Sequence, residues 1–171
     1  IYSSTSSGYG FNEPPNDELQ SDDCLNPYSV SKVAGEKLCS MYTSLFGLKT
    51  IAFRYFNVYG ERQPIKGQYA PVIGIFLRQR DAGKPLTIVG DGEQRRDFTH
   101  VSDVVSANVL AAINNVHDMN YGQLYNVGNS VNYSINEIAD AISDNQVNIP
   151  SRIGESRVTL ANNNKLKRTF G

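Results

Sequence analysis

The chain has 171 residues, with 16 lysines and arginines against 17 aspartates and glutamates, a formal net charge of -1 and 10% aromatic residues. That length suits one domain with a real core, and the balanced, unblocked charge carries neither the basic footprint of a nucleic-acid binder nor the signature of a disordered tail. No apolar run reaches the length of a membrane span and no secretory leader opens the sequence, while Cys24 and Cys39 lack metal spacing and suggest a reducing compartment, the cytoplasm by default.

The opening Ile1-Tyr2-Ser3-Ser4 reads as a strand entered partway, so a fragment is expected. Thr5, Ser6 and Ser7 then gather three hydroxyls ahead of Gly8-Tyr9-Gly10; hydroxyl-rich turns ordinarily cap backbone groups. A polar loop runs on through Asp23. Asn26-Pro27 announces a helix, because proline suits the first helical position and the asparagine before it caps the next free N–H groups. Tyr28 and Lys32 stand at i and i+4 on one face of that helix. A free tyrosine has a pKa of ~10. A cation about 4 Å away at an effective dielectric of ~20 is worth roughly 4 kcal/mol before desolvation, the order needed to bring a phenol towards neutrality. The same spacing also describes a plain surface lysine beside a half-buried tyrosine. Val30, Ala34, Leu38, Met41, Tyr42 and Leu45 recur at helical spacing until Gly47 stops the helix.

Lys49 to Val58 reads as a strand buried on both faces, and a helix followed by such a strand points to a layered α/β domain. Asn57 falls near the carboxyl end of that strand, the edge where open parallel sheets bind ligands. An asparagine in so apolar a run needs partners from backbone or from a ligand. Gly60 to Gln68 is a Gly/Pro-interrupted loop, Ala70 to Arg80 a helix ending at Gly83, and Leu86 to Val89 a short strand. Gly90-Asp91-Gly92 is a turn, wrongly placed for a phosphate loop. Arg95 and Arg96 follow. Arginine at the mouth of a site suits a bidentate grip on phosphate oxygens, and on an ordinary surface it makes an ion pair. A helix is expected from about Ser102 to Asn114, a strand at Leu124 to Gly128, and a capping box at Ser134 to Glu137 opening a helix to about Ser143. Last come a β-like stretch at Arg157 to Leu160 and a terminal amphipathic turn whose Lys165, Lys167 and Arg168 read as a solvated helix end.

In chain order, Ser-Ser-Thr-Ser-Ser-Gly-Tyr-Gly (3–10), Asn-Pro-Tyr-Ser-Val-Ser-Lys (26–32), Arg-Tyr-Phe-Asn-Val-Tyr-Gly (54–60), Gly-Asp-Gly-Glu-Gln-Arg-Arg-Asp-Phe (90–98) and Arg-Ile-Gly-Glu (152–155) resemble the extended short-chain dehydrogenases/reductases. More narrowly, they resemble the NAD-dependent epimerase/dehydratase family acting on nucleotide sugars, and within it the UDP-hexose and UDP-N-acetylhexosamine 4-epimerases. The resemblance implies an α/β fold: the C-terminal part of a Rossmann-like doubly wound sheet plus a smaller substrate-binding α/β region. Residues 1–60 would end the NAD-binding domain and carry the Tyr/Lys pair, and residues 61–171 would mainly bind the nucleotide sugar, with returning segments.

The resemblance also implies roles. Tyr28 looks like the base for the sugar 4-hydroxyl, Lys32 like the group that lowers its pKa and holds the nicotinamide ribose, and Thr5 like a hydroxyl on the same sugar oxygen. Ser6 and Ser7 look like further substrate contacts. Tyr55 is similar to the residue lining the nicotinamide pocket, Asn57 to a diphosphate contact, Arg96 and Arg152 to two clamping arginines, and Glu155 to the carboxylate on the nucleotide ribose. Val72 and Val89 would wall the uracil, and Thr159, being small, would leave room for an N-acetyl group. NAD+ would take hydride from C4, and the 4-keto sugar would swing about its phosphate linkage and regain the hydride on its other face.

The sequence lacks the G-x-x-G-x-x-G fingerprint of this family and the acidic reader of the adenosine ribose, which implies the carboxyl-terminal portion of a longer enzyme, inactive alone. Ser6 and Ser7 stand where 4,6-dehydratases carry Asp-Glu and decarboxylating relatives a glutamate, which disfavours elimination. Asn162 replaces an aspartate often found there. Another epimerase, dehydratase or decarboxylase of the family and a non-catalytic UDP-sugar binding module remain open readings. The family often forms a homodimer through a helix bundle that includes the Tyr28 helix, with Leu38, Met41 and Leu45 as candidates; burial in the protein's own core is the alternative.

Overall fold

The computed structural model describes residues 1–64, 70–114, 116–151 and 156–171. Strand β1 (Tyr2–Thr5) leads into a single 3-10 turn at Ser6–Tyr9, which starts where the Thr5 hydroxyl accepts a hydrogen bond from the Ser7 N–H. Helix α1 (Pro27–Phe46) opens on Pro27 with a full capping box. The Asn26 side chain accepts from the Ser29 N–H and the Ser29 hydroxyl accepts from the Asn26 N–H. Together these satisfy donors that a helix start leaves orphaned. Gly47 ends α1 at φ 67°, a left-handed cap that costs glycine little.

Strand β2 (Ile51–Tyr55) is buried at its first four positions. The apolar run continues, yet the strand does not. Asn57 takes φ +33°, so the single strand expected to reach Val58 breaks there and resumes as β3 (Val58–Tyr59) in another sheet. Asparagine tolerates the left-handed region better than the β-branched and aromatic residues around it.

Helix α2 (Val72–Asp81) and strands β4 (Leu86–Val89), β5 (Arg95–Asp97) and β6 (Thr99–His100) come next, and helix α3 (Val101–Ile113) follows directly. Strands β7 (Gln123–Val127) and β8 (Asn132–Ser134), helix α4 (Ile135–Asp140), strand β9 (Gln146–Ile149) and helix α5 (Asn164–Phe170) complete the described elements. Helix α4 stops before the expected Ser143, although its Ser134/Glu137 capping box forms as read. The β-like stretch at Arg157 to Leu160 provides only an isolated bridge, Arg95 to Val158.

The parallel sheet runs in the order β1-β2-β7 and aligns Thr5, Tyr55 and Val127 at its carboxyl edge. On one face lies α1. Gly35 lets it approach so closely that a Cβ there would stand 2.2 Å from the Tyr2 hydroxyl. The other face is apolar: Ile51, Phe53, Tyr125 and Val127 pack against Ala107 and Ala111 of α3 and Phe170 of α5. The Tyr125 and Phe170 rings meet edge-on at 5.2 Å, a favoured aromatic geometry. Lys165 is not a solvated helix end. Its ammonium donates to Leu124 O at 2.8 Å and lies 4.7 Å from the Tyr125 ring, and burial pushes its pKa down.

A second apolar cluster joins Phe76 of α2, Leu86 and Ile88 of β4, Phe98, and Ile135 and Ala139 of α4. Around it, β4 pairs with β9 in parallel and β5 with β8 in antiparallel fashion. The apolar stripe of α1 belongs to neither cluster. Among the described residues the helix buries Ser29, Val33 and Glu36, leaves Met41 half-buried, and exposes Val30, Leu38, Tyr42, Leu45 and Phe46. Among the described residues no helix is long and apolar enough to cross a membrane, and no cluster of three or more His, Cys, Asp or Glu is placed to hold a metal ion.

Candidate active site

Thr5 and Tyr55 sit side by side at the carboxyl ends of adjacent parallel strands, the edge of an open sheet that takes ligands. The Thr5 hydroxyl lies 3.1 Å from the Ser7 hydroxyl and is nearly buried, while Ser6 is half-buried and Ser7 exposed. Tyr28, in the first turn of α1, is 43% exposed. One turn on, the Lys32 ammonium donates to Ser3 O of β1 at 2.9 Å and lies 5.5 Å from the Tyr2 ring. Lys32 is therefore seated on β1, one turn along the helix from Tyr28. Burial pushes the Tyr2 phenol up, reinforced by Cys39, Glu36 and Tyr28, so Tyr2 stays a neutral wall beside the lysine.

Tyr55 has a partner that sequence reading missed. Its hydroxyl lies 2.9 Å from Asn108 Nδ2 and 3.2 Å from Asn108 Oδ1, and 3.3 Å from the Ser3 hydroxyl. Asn108 interrupts an otherwise apolar stretch of α3, and an amide within such a helix is the kind of exception that signals a specific partner.

A second locus follows β2 by two residues. Asn57 lines a cavity of about 190 Å³ together with Val72, Phe76, Val89, Gln94 and Arg96. An adjoining cavity of about 290 Å³ shares Val89, Gln94 and Arg96 and adds Asp91, Ser156 and Arg157. The Asn57 amide donates to Asp97 O at 2.9 Å and to the Thr159 hydroxyl at 3.3 Å. Thr159 also accepts from the Asp97 N–H at 3.3 Å. It supports Asn57 and lines neither of these cavities. The Arg96 guanidinium is steered by Arg95 O at 3.0 Å and Arg157 O at 3.4 Å. Arg152 and Glu155 lie outside the described residues.

Two carboxylates brace this region. Asp97 is fully buried and collects the N–H groups of Asn129, Ser130 and Ala161 at 2.8, 2.9 and 2.9 Å; burial still pushes its pKa up. Asp91 makes a two-pronged contact with Arg157, 2.8 Å on each prong, and that hydrogen-bonded guanidinium holds its carboxyl down to about 2. The two loci can thus hold different parts of one ligand. The β1/α1 edge offers a phenol, an ammonium and a hydroxyl for proton transfer, and the cavities offer a guanidinium, amides and apolar walls for an anion joined to a flat ring.

Residues 1–128 match the profile described as the NAD dependent epimerase/dehydratase family. A UDP-glucose epimerase of Bacillus subtilis (strain 168), itself named as uncharacterized, is 38% identical over 144 residues, which are 84% of this chain and 43% of that protein. A UDP-N-acetyl-alpha-D-glucosaminuronate decarboxylase of Bacillus cytotoxicus is 39% identical over 150 residues, 83% of this chain and 44% of that one. The crystal structure of a UDP-glucose 4-epimerase with UDP-glucose from Thermotoga maritima superposes with a TM-score of 0.91 at 31% identity, covering 100% of this chain and 56% of that chain. The chain spans about half the length of these relatives.

Proposed function

The chain belongs to the NAD-dependent epimerase/dehydratase family, and on that premise we propose that it supplies the proton-transfer groups and most of the substrate site of a nucleotide-sugar 4-epimerase acting on a UDP-hexose or UDP-N-acetylhexosamine. One observation carries this reading. Lys32 bonds Ser3 O of β1, two positions before Thr5, which pairs with Tyr55, and Asn57, two residues past Tyr55, opens onto the cavity walled by Arg96.

Tyr28 takes the proton of the sugar 4-hydroxyl and later returns it, and the Thr5 hydroxyl holds the same oxygen, with Ser6 and Ser7 beside it. Lys32, one turn on along the same helix face, is assigned as the cation that serves Tyr28 and the nicotinamide ribose. NAD supplies the reversible oxidation of that carbinol carbon to a ketone. The residues present fit its nicotinamide end, since Tyr28 is open to solvent and Lys32 is fixed on β1, whose last residue, Thr5, pairs with Tyr55. Asn57 and Arg96 hold the diphosphate and Val72 and Val89 take the uracil, which anchors the non-reacting part while the sugar turns. Arg152 is assigned as the second clamping arginine, Glu155 as the ribose ligand, and Thr159 as the small residue near an N-acetyl group. Residues 1–60 then serve the cofactor side and 61–171 mainly the nucleotide sugar. The exposed stripe of Val30, Leu38, Tyr42 and Leu45 supports pairing of α1 with its copy in a cytoplasmic homodimer.

The full-length polypeptide, given NAD+ and UDP-N-acetylglucosamine or UDP-glucose separately, is expected to form the 4-epimer of each, with Tyr28→Phe lowering kcat by about 10² to 10⁴-fold. Turnover of plain UDP-hexose alone refutes the N-acetyl assignment. Release of CO2 from a UDP-uronate, the reaction suggested by the decarboxylase relative, would replace the epimerase reading. Binding of UDP in calorimetry without any turnover would leave only a binding module.

A further inference from the structure

Helix α1 is seated with little help from apolar packing. Its buried residues are Ser29, Val33 and Glu36, and most of its hydrophobic side chains face outward. Apolar contact is non-directional and lets a helix slide or roll on a sheet. Besides the close Gly35–Tyr2 approach and the Lys32 bond to Ser3 O, the position of α1 rests on directional bonds that converge on Glu36. Arg54 of β2, 1% exposed, donates to Glu36 through Nε at 2.8 Å and Nη2 at 2.7 Å, and Ser4 of β1 donates its hydroxyl to the same carboxylate. The guanidinium is closed off on its other sides. Asp22 of the polar loop accepts from it, the Tyr9 ring lies 4.4 Å away, and a Cβ on Gly8 would stand 3.1 Å from its carbon.

Glu36 is one turn beyond Lys32 and two beyond Tyr28 on the same side of the helix, about 12 Å from Tyr28 along the axis at 1.5 Å per residue. Resting on the epimerase reading above, we propose that Glu36, gripped by Arg54, is the positioning residue of the Tyr28–Lys32 pair: it fixes the roll and axial register of α1 against β1, and so places the phenol over the reacting carbinol. Glu36 touches neither cavity. It acts through the helix. The fixed partner is a rigid fork, which suits this task better than a flexible ammonium. The charged and titratable groups around Glu36 are Arg54, Asp22 behind it, Lys37 paired with Asp22 at 3.0 Å, and the Tyr2 phenol. Tyr28 lies near enough to the Tyr2 phenol to act on it.

The test compares the full-length enzyme with Glu36→Gln, Ser4→Ala and Tyr28→Phe, using NAD+ and the UDP-sugar that the wild type turns over. Glu36→Gln keeps the shape of the side chain and removes one charged acceptor. It is expected to lower kcat about 10- to 100-fold with KM changed less than about threefold, because the proton-transfer group is misplaced while ligand binding is kept. Ser4→Ala leaves the Arg54 pair intact and is expected to lower kcat by a smaller factor, so the proposal stays testable if Glu36→Gln folds poorly. A KM that rises as much as kcat falls would show Glu36 acting on ligand binding. A loss confined to melting temperature would show a structural role only. Either overturns the proposal while Tyr28→Phe remains inactive; a Tyr28→Phe enzyme that keeps its activity overturns the epimerase reading itself.

Discussion

The two halves of the site are held in opposite ways. Helix α1, proposed to carry the proton-transfer pair, is pinned by charged, directional contacts at Arg54, Glu36 and Lys32 and turns its apolar side outward. The cavities proposed for the nucleotide sit on an ordinary hydrophobic cluster of Phe76, Leu86, Ile88, Phe98 and Ile135. The difference follows from what each must do. Proton transfer needs a phenol placed to a fraction of an ångström, and hydrogen bonds with fixed lengths and angles supply that placement. A cavity for a ring and a diphosphate needs the right volume and one or two anchors, which close-packed apolar side chains provide.

Breaking the polar half should have the largest effect. Arg54→Met strands Glu36 in the interior and is expected to cost about 3–5 kcal/mol in denaturant unfolding. The double change Arg54→Met with Glu36→Met should recover most of that stability while leaving activity low. Recovery of both would show that the pair matters for folding only. Next in size, Phe76→Leu in the apolar half should cost less than about 1.5 kcal/mol and leave the pH–rate profile in place, because cores absorb swaps of similar volume. If it shifts the profile, the two halves are not mechanically separate.

The smallest effect is a surface one that sharpens the boundary between the cavities. The folded-state pKa of Asp91 lies near 2, below its ordinary 3.8. Its depressed pKa means that the contribution to stability is present above pH 3.8 and is lost as pH falls through about 2. Asp91→Asn should therefore narrow the difference in melting temperature from the wild type as acid is added across that window. A difference that stays constant with pH would show that the Arg157 contact is idle.

Much of the fold was readable from local rules. Asn26-Pro27 and Gly47 mark the ends of α1, Ser134 to Glu137 caps α4, and the residue runs of β2, β4 and β7 carry their own burial pattern. What was hidden depends on partners distant in sequence. Strand β9 is Gln-Val-Asn-Ile, too polar to declare itself, and exists because β4 pairs with it. The Glu36–Arg54 bond spans 18 positions. Helical periodicity correctly grouped Val30, Leu38 and Leu45 on one face, but a period does not say which face turns inward, and a buried ion pair reversed the usual answer. Asn57 could be flagged as an odd polar residue in an apolar run; its left-handed backbone, which ends β2 and redirects the chain towards the cavity, could not.

Strand β1 sits at the margin of its sheet, bonded to β2 on one side. Among the described residues, its far side offers a ladder of amide donors and carbonyl acceptors to whatever strand comes alongside. Such ladders act as templates for uncontrolled strand addition, and β1 has neither proline nor lysine to blunt its own. At rising concentration this polypeptide should therefore associate through that margin, so a four-residue strand sets its solubility as much as its surface charge does.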